Sequence, residues 1–325
     1  MLDILLRSAR WSGLLALGLF LLMAITPAQA AAPTAVNACQ ALSAPGNYVV
    51  TKNLTASGDC LVLTVSNIAI DLQGHKIVGS GSGGGITDGG NTIRYIIVAN
   101  GKISNFSEGI DLSTDTGQTA NLILNVNSSG NTADGIFMKG RDNNLVNVTA
   151  NNNGGDGIEQ GNCCESFFKT TTNGNGGNGV NFSDESYLLN VTANGNSADG
   201  VIGTSDSFVV NSVANKNSSN GFEILQGNNL VVSSVANGNS GDGMLLNNSN
   251  QVTDSKAGKN HGDGINFQDE VGLVTSVNTN NNSGDGVFLK CPGNAVRGVA
   301  KGNGGTNLHE DTSGGTCTDV RNNAP

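Results

Sequence analysis

A parallel β-helix is the fold that three observations predict: a repeat of 21 or 22 residues, a composition that resists helix formation, and apolar runs only three to five residues long. The repeat is marked by a small or acidic residue, then glycine, then an aliphatic or aromatic residue. It runs through Asp134-Gly135-Ile136, Asp156-Gly157-Ile158, Asn178-Gly179-Val180, Asp199-Gly200-Val201, Asn220-Gly221-Phe222, Asp242-Gly243-Met244, Asp263-Gly264-Ile265 and Asp285-Gly286-Val287. The intervals are 22, 22, 21, 21, 22, 21 and 22 residues. A weaker copy, Glu108-Gly109-Ile110, lies 26 residues upstream, where Thr114–Thr119 lengthens a turn. Such periodicity is the signature of a solenoid. Glycine (47 of 325 residues), asparagine, serine and threonine dominate, and all are poor helix formers. The short runs between them are β-branched or aromatic, as strands require. Each repeat therefore reads strand, turn, strand, turn, and only stacking on its neighbours buries its apolar face. At about 4.8 Å per strand, roughly 11 coils make a rod of about 50 Å.

Taken in chain order, residues 1–30 read as a signal peptide. Arg7 and Arg10 precede the apolar run Gly13–Ile25, and Ala28-Gln29-Ala30 offers a small-x-small cleavage site. The run is shorter than the roughly 20 residues a spanning helix needs. Removal of this segment takes away Trp11, the single tryptophan, and delivers the protein to the periplasm or the exterior. Residues 31–60 are expected to form an N-terminal cap, 61–310 the β-helix and 311–325 a C-terminal cap or tail. All six cysteines lie in the exported part, where an even count suggests disulfides. Cys39 and Cys60 are 21 residues apart and Cys291 and Cys317 are 26 apart, each about one coil, so these pairs should be bridged on adjacent rungs. Cys163 and Cys164 form either a vicinal bridge or two thiols, and the bridge is favoured because no histidine or second cysteine pair is near in sequence.

Within the repeat, each column has a structural task. Three residues before the acidic position stands Asn105, Asn131, Asn153, Asn175, Asn196, Asn217, Asn239, Asn260 or Asn282, and Asn303 extends the series. Amides stacked at coil spacing can bond to one another as an asparagine ladder. The glycine after the acid is read as a tight turn into the strand. Alternation sends Ile136/Met138, Val180/Phe182, Phe222/Ile224, Met244/Leu246, Ile265/Phe267 and Val287/Leu289 inward.

The repeat Asn-x-x-Asp-Gly-Ile, the opening stretch Gly46-Asn47-Tyr48-Val49-Val50 and the segment Ile70–Ile77 together resemble the pectate-lyase-like β-helix superfamily, including its exported bacterial NosD-like members. The resemblance spans about residues 43–310. It implies a right-handed parallel β-helix, whereas the scaffold carries lyases, hydrolases, epimerases and adhesive modules alike. The site elements of such enzymes are missing. Asp-Pro-His, Gly-His-Gly and Asn-Thr-Asp sets do not occur, and Arg94, Arg141, Arg297 and Arg321 are far apart. His75, His261 and His309 are isolated, and the buried positions of Met138 and Met244 leave no soft-ligand cluster for copper.

A net charge of −10 with scattered lysine and arginine excludes nucleic acid as a partner. No Cys-x-x-Cys or Cys/His set points to zinc. No cofactor is expected; Asp242, Asp263 and Asp285 in one column would attract calcium only weakly. Seven residues after the acidic position the column reads Arg141, Cys163, Glu185, Asp206, and Glu185 with Asp206 is the best-spaced carboxylate pair for catalysis. Glu159 and Glu223 stand three coils apart, too far to act together. The expectation is a monomeric, exported, non-catalytic protein that binds polysaccharide or another envelope or extracellular component. The alternative is a polysaccharide lyase or glycoside hydrolase of that superfamily.

Overall fold

The structure is a computed structural model that describes residues 32–269 and 272–320. Residues 1–30, read as a signal peptide, lie outside the described residues. From Thr34 onward the chain winds as a parallel β-solenoid of about 12 turns, one more than the repeat count suggested. Its coils are triangular. Face one is a sheet of 13 parallel strands, one per coil, from Gln40–Leu42 to Leu308–Asp311. Faces two and three share a second sheet, because long strands such as Ile97–Ser104, Leu122–Ser128 and Leu273–Asn280 continue around the corner between them.

Parallel pairing already joins Thr34–Val36 to Tyr48–Val50 and Gln40–Leu42 to Leu61–Leu63. At the other end Asn294–Val296 pairs with Thr318–Val320. The expected caps, 31–60 and 311–325, therefore belong to the same ladders over their described residues. The reason is that the first and last coils contribute strands of ordinary register despite lacking the Asp-Gly motif.

The corners are single residues in the left-handed conformation. Between faces one and two stand Asp142, Cys164, Glu185, Asp206 and Asn228, with φ between 52° and 76°. Between faces two and three stand Asn125, Asn147, Lys169, Asn190, Asn211, Ser233 and Asp254. Between faces three and one stand Asn152, Gly174, Gly195, Lys216, Gly238, Lys259 and Asn281. Glycine and asparagine tolerate this region best, which is why the composition is so rich in both. Asn105 falls here too: its φ is 61° and it is exposed. It is not a rung of the ladder, because the turn from Phe106 to Ile110 is one residue shorter than that from Asn131 to Ile136. Phe106 takes the ladder position and its backbone N–H donates to Asn131 Oδ1 at 3.1 Å.

From Asn131 to Asn303 the amides are linked directly. Both the backbone N–H and Nδ2 of each asparagine donate to Oδ1 of the next, as from Asn153 to Asn175 at 3.0 and 3.1 Å. The glycines that follow have ordinary backbone angles, so tight turning is not their task. A Cβ on Gly200 would stand 2.6 Å from Asn217 Nδ2 and 2.7 Å from the Gly221 carbonyl. Close approach of the amide ladder, not left-handed backbone, requires glycine there. The inward side chains of face one, among them Ile136, Met138, Val180, Phe222, Met244 and Ile265, are fully buried. Gly203 leaves the space that the Phe182 ring fills.

On face two the central residue of each strand points in and the two flanking residues point out. The first outward row is Leu122, Asn144, Ser166, Tyr187, Phe208, Leu230, Gln251 and Leu273. The second is Leu124, Val146, Phe168, Leu189, Val210, Val232, Thr253 and Thr275.

Candidate functional site: the carboxylate-lined face

Face one presents two parallel rows of polar side chains. Strand alternation and register align Asp111, Phe137, Glu159, Asn181, Ile202, Glu223, Leu245, Asn266, Phe288 and His309 on the outer surface. Beside them, at the turn into each strand, runs the motif column Asp134, Asp156, Asn178, Asp199, Asn220, Asp242, Asp263 and Asp285. One oxygen of each member accepts the backbone N–H of the next, at 2.6 Å from Asp156 to Asp134 and 2.6 Å from Asp285 to Asp263. The other carboxylate oxygens face the outer row. Asn266 Nδ2 donates to Asp242 Oδ2 at 2.9 Å, and His309 Nδ1 lies 2.7 Å from Asp285 Oδ2. Asn220 Nδ2 donates to Glu223 Oε2 at 2.8 Å.

Packing so many acids on one half-buried face raises their proton affinity. Burial is the main cause for Asp134, whose pKa is pushed up to about 7; the carboxylates of Asp156, Glu159 and Glu108 add to it and the Asp156 N–H opposes it. Glu159 is raised by burial and by Asp156, with Lys139 pulling the other way. Burial and Asp199 raise Glu223, and burial raises Asp242 and Asp263. At the far end burial also acts on Asp285, but hydrogen bonds from His309 and Thr306 outweigh it and leave that acid below its ordinary value. Acids that hold a proton near neutrality can donate hydrogen bonds as well as accept them.

Glu185 and Asp206 stand elsewhere, on adjacent coils in the corner between faces one and two, where Asp142 and Cys164 precede them. Arg141 and Cys163 are each one residue out of that column, because the left-handed corner falls on the residue after them. Asp184, next to Glu185, is held below its usual value, mainly by the hydrogen bond from Thr204 Oγ1. Neither corner acid is drawn toward the face-one rows. Glu165 is the residue the sequence reasoning missed. It occupies a buried column otherwise filled by Asn121, Asn143, Ser186, Ser207, Asn229 and Asn250, and it is wholly enclosed. Ser186 Oγ donates to its Oε2 at 3.0 Å, while Oε1 has no partner. Burial pushes its pKa up to about 8. Its spacing of 22 residues from Asn143 was the available signal.

Cys39–Cys60, Cys291–Cys317 and Cys163–Cys164 are disulfides, with Cα separations of 4.4, 4.9 and 3.8 Å. They fit an oxidising, exported setting. Among the described residues, the one group of three potential metal ligands is Cys163, Cys164 and Glu185, two of whose donors are tied in the vicinal bridge. Asp242, Asp263 and Asp285 do not converge into such a group.

No family profile matches the chain, and no curated protein sequence matches it. Solved structures do share its shape. The A-module of mannuronan C-5 epimerase AlgE4 from Azotobacter vinelandii superposes with a TM-score of 0.53 at 12% identity, covering 90% of this chain and 92% of that one. A point mutant of the periplasmic alginate epimerase AlgG gives a TM-score of 0.55 at 13% identity, over 81% of this chain and 76% of that one. The chain is a parallel β-helix protein.

Proposed function

We propose that this is an exported, non-catalytic protein that binds a polysaccharide along face one. The observation that carries the reading is the Asp/Asn motif column repeating at one coil spacing along the rod, about 4.8 Å, beside an outer row that alternates polar side chains with Phe137, Ile202, Leu245 and Phe288. A ligand built of identical units can meet the same donors and acceptors again and again, which a compact molecule cannot. The solved structures of like fold are named as epimerases of mannuronan or alginate. Charge argues for a different polymer here. Face one carries Asp111, Glu159, Glu223 and the acidic motif column against Lys139 and His309, and the whole chain is −10. A polyuronate would meet like charge along its entire length, so an uncharged, hydroxyl-rich glycan is the fitting ligand. Affinity measured against neutral glucans, mannans and galactans and against polyuronates tests this. Neutral polymers should bind, and Glu159→Lys with Glu223→Lys should abolish it. Equal binding of polyuronates, or no effect of the double variant, would overturn the reading.

A second reading rests on Asp134. With a pKa of about 7 beside Asp156 and Glu159, it could serve as the proton donor of a glycoside hydrolase. Release of new reducing ends that is lost in Asp134→Asn, yet kept in Glu185→Gln and Asp206→Asn, would favour catalysis at this place.

A further inference from the structure

We propose that face two is a self-association surface, on which a second copy of this chain packs side by side. Parallel strands with apolar residues at every position occur where both sides of the sheet are covered. Tyr187-Leu188-Leu189, Phe208-Val209-Val210 and Leu230-Val231-Val232 are such strands, yet only their central residues are fully buried. Their outward neighbours are half-buried, and Ile97, which pairs with Leu122, is 40% exposed. Among the described residues no helix or strand packs across them.

Charge identifies the occupant. From Ile97 to Thr275 neither outward row contains a charged side chain, in a molecule of net charge −10 whose face one is lined with acids. Two copies approaching through face one set carboxylates against carboxylates; through face two they meet without that penalty. The rims select the arrangement. Asp142, Glu185 and Asp206 mark one edge of face two, whereas the other carries Lys169, folded over the Phe168 ring at 5.3 Å, with a single acid, Asp254, four coils further on. A two-fold axis parallel to the rod sets each acidic rim opposite the partner's lysine-bearing rim, while an antiparallel pair sets acid against acid. Nine rungs span about 38 Å and each strand about 10 Å, so two copies cover roughly 760 Å² between them, the size of a weak, transient contact. The dimer is accordingly concentration-dependent, in place of the monomer expected from the sequence.

Sedimentation velocity over a dilution series, on the protein as the expressing cell releases it, tests this. The expected result is a mass that doubles with concentration. Leu189→Asp and Leu189→Lys, each checked for native circular dichroism, should each weaken dimerisation roughly tenfold or more, and mixing the two should restore it. Thr192→Asp, on face three, should leave it intact. A monomer at all concentrations, or a dimer indifferent to both Leu189 variants, would overturn the proposal. Carbodiimide should link Lys169 of one copy to Glu185 or Asp206 of the other; a dimer without that link would rule out the parallel arrangement.

Discussion

The backbone N–H and Nδ2 of Asn196 both donate to Oδ1 of Asn217, one coil further on, at 2.9 and 3.1 Å. Replacing Asn217 by leucine removes that acceptor, leaving the buried Asn196 N–H unpaired and one Nδ2 hydrogen without a partner, while the other stays on the Thr172 carbonyl. At about 1–3 kcal/mol for each such group, Asn217→Leu should lower stability by about 2–5 kcal/mol. Asn105→Gly, at an exposed left-handed corner, should change it by less than about 0.5 kcal/mol. Urea denaturation of both variants measures the contrast; equal effects would contradict the register described above.

Gly200 and Gly195 should respond differently to alanine. At Gly200 the added methyl meets Asn217 Nδ2 and the Gly221 carbonyl, so the coils must part, at a cost of about 1–3 kcal/mol or more. Gly195 has φ of 65° with open space around it, and only backbone strain of about 1–2 kcal/mol applies. Thermal melts showing Gly195→Ala as the more damaging change would refute the close-approach argument.

Glu165 makes stability depend on pH. Its folded pKa of about 8 lies above its ordinary 4.5, so the folded state keeps a proton that the unfolded chain releases. Stability should therefore fall as pH rises from about 4.5 to about 8 and level off above. The slope is at most about 1.4 kcal/mol per pH unit. Glu165→Gln, an uncharged side chain of the same shape that can still accept from Ser186 Oγ, should match the parent at pH 4.5 and exceed it clearly at pH 8. Parallel stability curves for the two proteins would show that Glu165 is not protonated in the fold.

Closing loops of 21 and 26 residues, the Cys39–Cys60 and Cys291–Cys317 bridges should each contribute about 3 kcal/mol. Hydrogen exchange after opening either one by cysteine-to-serine substitution should rise first in the coil it fastens, not along the whole rod. Uniform exchange from every coil would mean that the rod unfolds as one unit.

The solenoid was legible because the Asp-Gly motif recurs with so little variation, and alternation then placed Ile136, Phe222 and Met244 correctly inside. What escaped depends on counting within a turn. One residue fewer after Phe106 moved Asn105 to a corner, and one residue of slip put Arg141 and Cys163 beside Glu185 in place of Asp142 and Cys164. The face-one rows were half visible: Glu159 and Glu223 were compared with each other, while their nearer acidic neighbours, Asp156 and Asp199, sit in a different column. Glu165 was hidden because a glutamate among turn residues usually faces water, and only the third dimension shows its column to be internal. Face two was read for its inward residues alone, since alternation offers no reason to examine an outward row that is apolar as well.

The asparagine row also has a direction. Each amide gives its hydrogens toward the C-terminal coil, so the row opens at Asn131, whose oxygen receives the Phe106 N–H. It must finish on a group that accepts without passing anything on. Asn303 turns its Nδ2 to Asn307 Oδ1 at 3.1 Å and to the Thr279 carbonyl at 2.9 Å, both within its own last coils. The two ends of the rod are therefore chemically unlike, and the final one is self-terminated. An incoming copy finds both Nδ2 hydrogens of Asn303 already taken, which opposes growth into head-to-tail filaments through the side-chain amides.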